Sequence, residues 1–245
     1  MVNVSGPSFA FTMQRHRHPE LMDQPELELV EHRRALRGLK RINTLSRTGS
    51  VLWSPIARLV QSKGVSDSPL RVLDLATGGG DTPITLAQRA AQTGLNVEIE
   101  GCDINPRAVC YAREQAESHG VRVRFFVLDA LSGMLPSDYD VLCCSLFLHH
   151  LGETDAIALL GRMAAAARRL VLVDDLVRSR WGYLLALVGC HLLSSSRVVR
   201  FDGPVSVAAA FTPSEVLALA ERAGLQGAVL TRHWPQRFLL TWSVK

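Results

Sequence analysis

The chain has 245 residues, of which 47% are hydrophobic and 20% are charged. This balance is typical of a globular protein and excludes a disordered or collagen-like chain. The length suits one α/β domain with additional segments better than two full domains. The net charge of +4 includes an arginine excess near the N-terminus, which predicts a solvated helix face and leaves an anionic partner as the weaker interpretation.

Residues 1–66 are predicted to form an N-terminal helical cap, with residues 1–18 poorly ordered. Leu36, Leu39 and Ile42 recur at three-residue spacing with arginines on the other face, as in an amphipathic helix. The first residues lack the pattern of a signal peptide. The five cysteines form no CxxC pair and no zinc-spaced cluster. We therefore expect a reduced, cytoplasmic protein with no metal site.

Strands and helices alternate through the core, which is predicted to cover residues 67–245. Strands are predicted at 71–76, 97–103, 121–129, 139–148 and 169–175, with helices at 82–92, 105–120 and 154–167. The strands are almost continuously apolar, which favours a parallel sheet covered on both faces.

The C-terminal part differs from this pattern. A helix with a capping box at Thr212 and Glu215 precedes two extended runs, 227–232 and 237–244. The four residues between these runs are too few for a crossover, so the two strands must be antiparallel. The predicted fold class is therefore α/β: a doubly wound, seven-stranded sheet, mostly parallel, with a C-terminal antiparallel hairpin.

An insertion at about 176–211 interrupts the core and is predicted to act as a lid. Its apolar run, 181–193, is shorter than the roughly 20 residues that cross a bilayer. A buried or lid helix is the first interpretation, and weak contact with a membrane surface stays open. The apolar side chains, including Trp181 and Tyr183, indicate a hydrophobic, aromatic or long-chain ligand.

The stretch "RVLDLATGGGD", residues 71–81, places a carboxylate and three glycines at the end of the first strand. Ligands of such sheets bind at the carboxyl ends of the strands. A dinucleotide fingerprint would need a third glycine where Pro83 stands, and no G-K-[ST] phosphate loop is present. Asp103 and Asp129 end the next two strands, where they could accept hydrogen bonds from ribose hydroxyls and an adenine amino group. Each aspartate alone could be a loop cap, but the combination indicates a nucleoside site.

These residues resemble the class I S-adenosylmethionine-dependent methyltransferases, a family with a Rossmann-like fold. The segments "VLDLATGGGD", "CDIN", "LDAL" and "DYDVLCCSLFLHHL" are similar to four motifs of that family. The resemblance covers about residues 67–175. Ala76 stands where the first motif usually has glycine. Ala76 and Asp81 are similar to the variants found in methyltransferases of quinone biosynthesis and polyketide pathways.

The resemblance implies S-adenosylmethionine as cofactor and assigns roles by position. Asp74 would orient the turn and the methionine amino group, Asp103 would hold the ribose hydroxyls, and Ile104 would pack on the adenine. The complete implied cofactor site consists of Asp74, Ala76, Thr77, Gly78, Gly80, Asp103, Ile104, Asp129, Ala130, Ser145 and Leu146.

The implied reaction is methyl transfer to an oxygen or carbon of a hydrophobic aromatic, polyketide-like or quinone-like small molecule. A protonated phenol would benefit from a general base. His149 and His150, directly after the fourth strand, and His191 in the insertion are the candidate catalytic residues. Each of them also has a structural interpretation. His233, in the hairpin, is expected to be an exposed turn residue.

Two other functions stay open at this point. The basic N-terminal helix is compatible with an RNA or protein methyltransferase. However, methyltransferases that act on amide or base nitrogens often carry Asn-Pro-Pro-Tyr after the fourth strand, and this chain has "SLFL" there. A nucleic-acid partner is therefore not expected. A non-catalytic protein that retains the fold and binds the cofactor is the other alternative. The sequence leaves the oligomeric state open.

Overall fold

A computed structural model describes residues 13–24, 26–62 and 68–244. The helices are α1 Leu29–Leu45, α2 Thr48–Ser62, α3 Asp81–Thr93, α4 Pro106–Ser118, α5 Glu153–Ala166, α6 Arg180–Leu193, α7 Arg197–Ala209 and α8 Pro213–Arg222. The strands are β1 Leu70–Leu75, β2 Val97–Asp103, β3 Arg124–Val127, β4 Val141–Ser145, β5 Leu170–Leu176, β6 Val229–His233 and β7 Arg237–Ser243. Short 3-10 turns cover Leu21–Asp23 and Leu148–His150.

The seven strands form one sheet in the order β3-β2-β1-β4-β5-β7-β6. The pairs among β1 to β5 are parallel, whereas β7 is antiparallel to both β5 and β6. The predicted fold class and its C-terminal hairpin are therefore confirmed. The chain order reverses between β1 and β4, so the carboxyl ends of β1, β2 and β4 meet at the crevice where ligands of such sheets bind.

Alternating side chains of the central strand β1 pack against helices on opposite faces of the sheet. Leu73 and Leu75 of β1 belong to the core cluster that includes residues of α5 and α8. Leu70 and Val72 belong to the cluster that includes residues of α2 and α3. Because side chains alternate between the faces of a strand, a sheet buried on both faces requires the continuous apolar runs seen in the sequence.

Two strands, β3 and β4, are about half as long as predicted, for different physical reasons. β3 is an edge strand that pairs only with β2, over Arg124–Val127. β4 ends at Ser145 because Leu146 has a φ of 55°, in the left-handed region that a strand cannot continue through. The "LFLHH" run after it therefore forms a loop and a 3-10 turn, which places both histidines beside the crevice.

The insertion forms two helices, α6 and α7, which pack against each other and against α1. The predicted disorder of residues 1–12 lies outside the described residues. Residues 13–18 form no helix or strand, but Arg15 Nε donates to the Ala209 carbonyl at 2.6 Å and Arg17 donates to the His150 carbonyl at 2.6 Å. This segment therefore ties the N-terminus to α7 and to the loop after β4.

Within the described residues, no single helix is long and apolar enough to cross a membrane. One bent pair, Arg197–Ala209 with Pro213–Arg222, meets the criteria of length and composition with a bend of 65°.

Candidate functional site

The turn after β1 is held open by left-handed backbone conformations. Ala76, Gly78 and Gly80 have φ values of 52°, 53° and 80°. Asp74 is fully buried beneath the turn, where it accepts hydrogen bonds from Thr77 Oγ1 at 2.8 Å and Cys143 Sγ at 3.5 Å. Burial raises the pKa of Asp74 to about 7, although the hydrogen bonds from Thr77 and Cys143 oppose this rise. Asp74 therefore shapes the turn from below.

Two glycines of this turn are expected to respond differently to alanine. A Cβ at Gly80 would lie 2.8 Å from Ala112 Cβ and 2.9 Å from Phe125 Cζ, whereas a Cβ at Gly78 would meet nothing within 4 Å. Both substitutions incur the left-handed strain of about 1 kcal/mol, and Gly80→Ala adds overpacking of about 1–3 kcal/mol. Gly80→Ala should thus lower the free energy of unfolding, measured in urea, about two to four times as much as Gly78→Ala. Equal losses would contradict the close approach at Gly80.

The strand-end carboxylates anchor the neighbouring loops. Asp103 Oδ2 accepts from the Gly78 backbone N–H at 2.8 Å, and its Oδ1 accepts from the Asn105 N–H at 2.9 Å. Asp129 Oδ1 accepts from the Leu131 N–H at 2.8 Å. Asp103 therefore joins the glycine turn to the start of α4, with both oxygens at the edge of the crevice.

A cavity of about 690 Å³ lies over these loops, within the range of small-molecule sites. On one side it is lined by the strand-end loops, and on the other by α1, α6 and α7. Nine of the eleven predicted cofactor residues line it: Ala76, Thr77, Gly78, Asp103, Ile104, Asp129, Ala130, Ser145 and Leu146. His149 and His150 line it as well.

Three predicted site residues lie outside the cavity lining. Asp74 is in β1 below the turn, and Gly80 is at the start of α3, packed against Ala112 and Phe125. His191 is exposed on α6, with its Nδ1 2.8 Å from the Leu187 carbonyl of its own helix. Its neighbours Cys190 and Leu193 line the cavity, whereas His191 does not. The geometry therefore gives no support to His191 as a base.

His149 is buried between two carboxylates. Its Nδ1 lies 2.7 Å from Asp175 Oδ1, and its Nε2 lies 3.6 Å from Glu20 Oε1. Burial alone would lower the pKa of His149, but Asp175 and Glu20 outweigh burial and raise that pKa to about 10. The imidazole is therefore doubly protonated at neutral pH, and a base needs a free ring nitrogen. The raised pKa therefore does not support His149 as a general base.

His150 is half-buried and faces the cavity. Its ring centroid lies 4.3 Å from that of His149, and its Nε2 lies 4.0 Å from Glu20 Oε2. Glu20 also accepts a hydrogen bond from Ser206 of α7 at 2.5 Å. Of the three histidines predicted as catalytic, His150 is the one that combines cavity exposure with a neighbouring carboxylate, Glu20.

Glu20, His149 and His150 could hold a metal ion by geometry, since one ligand atom from each lies within 4.8 Å of the others. Because the pKa of His149 is raised, a metal ion bound here would have to displace a proton from its ring. The arrangement is explained as an ion-pair network in which one imidazolium offsets the charges of Glu20 and Asp175.

A second buried ion-pair group lies at the end of β5. Asp174 Oδ1 is 2.6 Å from His233 Nε2, and Asp174 Oδ2 is 3.6 Å from Arg237, which lines the cavity. The prediction of an exposed His233 is therefore wrong, because β6 and β7 bring this histidine against Asp174. Neither Asp174 nor Asp175 lines the cavity; each orients a histidine.

Sequence analysis missed Glu20 and Arg237 as cavity residues. Glu20 lies before α1, in a region with no motif, and it meets His149 only through the fold. Arg237 begins β7 and reaches Thr48 at the start of α2 and Asn43 of α1. An arginine at the start of an apolar strand, in "RFLLTWSV", was the one local signal of a buried cation.

Comparison with known proteins points to one class of enzyme. The family model described as "Methyltransferase domain" matches residues 72–169. Demethylmenaquinone methyltransferase of Deinococcus radiodurans is 31% identical over 168 residues, which are 67% of this chain and 67% of that enzyme. Ubiquinone biosynthesis O-methyltransferase of Bordetella parapertussis is 29% identical over 171 residues, 68% of this chain and 66% of that enzyme. The alignments thus span about two thirds of these relatives.

Solved structures with the same fold include one with a bound nucleoside product. Magnesium protoporphyrin IX methyltransferase from Synechocystis, solved with bound SAH, matches with a TM-score of 0.56 and 19% identity. The match covers 91% of this chain and 90% of that chain. A match over 91% of the chain extends well beyond residues 72–169 and supports the Rossmann-like architecture.

Proposed function

The chain belongs to the family of class I S-adenosylmethionine-dependent methyltransferases, and we propose that it methylates an oxygen or carbon of a hydrophobic, quinone-like aromatic molecule. Its methyl donor is S-adenosylmethionine. The observation that carries the acceptor proposal is the continuity of the cavity. The strand-end loops line one side, and apolar side chains of three helices, including Leu39, Leu185 and Val207, line the other. The names of the relatives, which refer to menaquinone and ubiquinone, support the same class of acceptor.

The residues at the strand ends fit the donor. Ile104 is 63% exposed beside the cavity, an unusual position for a large apolar side chain unless a flat ring covers it. The open space at Gly78 lets a ligand approach the backbone of the turn. In this proposal Asp103 holds the ribose hydroxyls, Asp129 takes the adenine amino group, and Ser145 and Leu146 flank the methionine end.

S-adenosylmethionine supplies an electrophilic methyl group on a sulfonium. The cavity walls hold the acceptor in line with that methyl group and exclude water, and such positioning can provide most of the rate enhancement. As the acceptor oxygen forms its bond to the methyl carbon and the methyl–sulfur bond breaks, the hydroxyl proton passes to the imidazole of His150. Glu20 Oε2 lies 4.0 Å from His150 Nε2 and places a carboxylate beside this imidazole. For an aromatic carbon acceptor, the same deprotonation raises the electron density of the ring, and the ring carbon releases its C–H proton to solvent after its bond to the methyl carbon has formed.

The base assignment predicts a large and pH-dependent effect of His150→Gln. Turnover of a hydroquinone or catechol at neutral pH should fall by about 100-fold or more, because the acceptor hydroxyl loses its proton acceptor. The deficit should narrow as the pH approaches the pKa of the acceptor, about 10 for a phenol. Initial rates of methyl transfer across pH measure both effects.

His191→Gln is the matched control, since His191 is exposed outside the cavity, and its rates should equal those of the unaltered chain. Affinity for S-adenosylmethionine should be unchanged in both variants. Full turnover by His150→Gln at every pH would assign His150 a structural role and leave the acceptor to ionise without help.

An RNA or protein acceptor finds less support. Arg15 and Arg17, which contribute to the basic N-terminal region, donate to carbonyls of their own chain, and Arg33 pairs with Glu114 at 2.8 Å. These arginines are partly neutralised or held in place by the fold, so the basic region does not by itself indicate a polyanionic partner.

A further inference from the structure

Helix α6 exposes an unusual amount of apolar surface. We define the α6 face as the exposed side chains of Trp181, Tyr183, Leu184, Leu187 and Leu192. Trp181 is 71% exposed and Leu192 is 79% exposed. Gly182 and Cys190 are the residues that this helix buries. A contiguous apolar surface of this kind indicates a binding partner.

The charged side chains of the sequence segment that contains α6 are all positive. From Leu176 to Phe201 the sequence contains four arginines and no aspartate or glutamate. Arg178 is buried and paired with Glu215. Arg180 and Arg197 are exposed at the starts of α6 and α7. This combination of exposed tryptophan, leucines and flanking arginines complements an anionic lipid surface.

The length of α6 determines how it could meet a bilayer. Its 14 residues give a rod of about 21 Å, shorter than the hydrocarbon core of about 30 Å. The helix would therefore lie in the interface plane, with the apolar side chains in the acyl boundary and the arginines at the phosphates. Leu185 and Val188 are both exposed and line the cavity, so α6 forms part of the cavity rim.

We propose that the α6 face docks on an anionic lipid bilayer and that this contact brings the cavity rim to the membrane surface. An apolar acceptor could then pass from the acyl region into the cavity without crossing water. The docking step depends only on the α6 face and its flanking arginines; the passage of the acceptor also rests on the proposed function.

Vesicle flotation of the full chain tests the docking without any turnover. The chain should float with phosphatidylglycerol–phosphatidylcholine vesicles and much less with phosphatidylcholine alone, and added salt should weaken the binding. Emission of Trp181 should shift to shorter wavelength on binding, and Trp181→Phe should remove that part of the shift. Equal, low flotation with both kinds of vesicle would overturn the proposal.

Variants separate the apolar contribution to vesicle binding from the electrostatic contribution. The double variant Leu184→Ser with Leu192→Ser should lower the partition coefficient about tenfold or more, and Arg197→Gln should lower it about fivefold. Met134→Ser is the matched control, since Met134 is 94% exposed in the loop between β3 and β4, and its binding should not change. Calorimetry with S-adenosylmethionine in the absence of vesicles should give the same affinity for every variant, which separates docking from the proposed function.

A second copy of the chain is the competing occupant of the α6 face. We expect that sedimentation of the unaltered chain shows either no dimer or a dimer that persists in the double variant. A dimer that the double variant abolishes, or a loss of vesicle binding in Met134→Ser as large as that in the double variant, would overturn the membrane assignment.

Discussion

Asp103→Ala should weaken the binding of S-adenosylmethionine by about 100-fold or more while the fold survives. A hydrogen bond to a charged group contributes about 1.5–3 kcal/mol, and Asp103 at the end of β2 is proposed to accept two from the ribose hydroxyls. The substitution also releases the N–H groups of Gly78 and Asn105, which Asp103 holds at 2.8 and 2.9 Å. Loss of these contacts loosens the turn that approaches the ligand. Calorimetric titration with the cofactor or its demethylated product measures the change.

Glu98→Ala provides the matched control on the same strand. Glu98 lies near the start of β2, is largely exposed and pairs with Arg71 at 3.4 Å, so its removal should leave cofactor affinity unchanged. The cofactor affinity of Asp103→Asn should lie between those of Asp103→Ala and Glu98→Ala. An amide oxygen can accept some of these hydrogen bonds, whereas the amide NH₂ group faces the remaining donors and accepts none. Unchanged affinity in a folded Asp103→Ala variant would remove the ribose assignment.

The sequence predicted the fold well because its information is local. The β2 boundaries, the Asn105 N-cap of α4 and the capping box of Thr212 and Glu215 all depend on residues within a few positions of one another, and all are confirmed. Where a boundary depends on backbone strain, the prediction was wrong. "SLFLHH" is apolar enough to continue β4, but Leu146 adopts φ 55° and ends the strand.

The same distinction between local and long-range information explains which residues of the candidate site could be predicted. Strand-end residues such as Asp103 and Asp129 could be placed from topology, because the carboxyl ends of parallel strands meet at one edge. The contact between Glu20 and His149 joins segments more than a hundred residues apart and has no local signature. His191 could not be oriented because α6 is apolar on most of its circumference, so hydropathy does not distinguish its cavity face from its exposed face.

His149→Gln should cause the largest loss of stability of the changes considered. Removing the imidazolium leaves Asp175, which is 1% exposed, as a buried carboxylate without its charged partner, and breaking such a pair costs about 3–5 kcal/mol. For a chain of this size the melting temperature should fall by about 10 °C. Asp175→Asn removes the other partner and should also destabilise, which provides a second measurement if the histidine variant does not fold.

The pH dependence of this loss distinguishes an ion pair from simple packing. Because the folded-state pKa of His149 is raised from 6.5 to about 10, its contribution is fully present below about pH 6.5 and is lost as the pH rises towards 10. Asp175, whose pKa is lowered, contributes above its ordinary value of 3.8 and loses that contribution as the pH falls through its lowered value. Denaturation in urea should therefore show the stability difference between the unaltered chain and His149→Gln shrinking from neutral to alkaline pH. His191→Gln, the control, should show no such trend. If the stability difference between the unaltered chain and His149→Gln stays constant up to pH 10, His149 is neutral, and its burial rather than its charge stabilises the loop after β4.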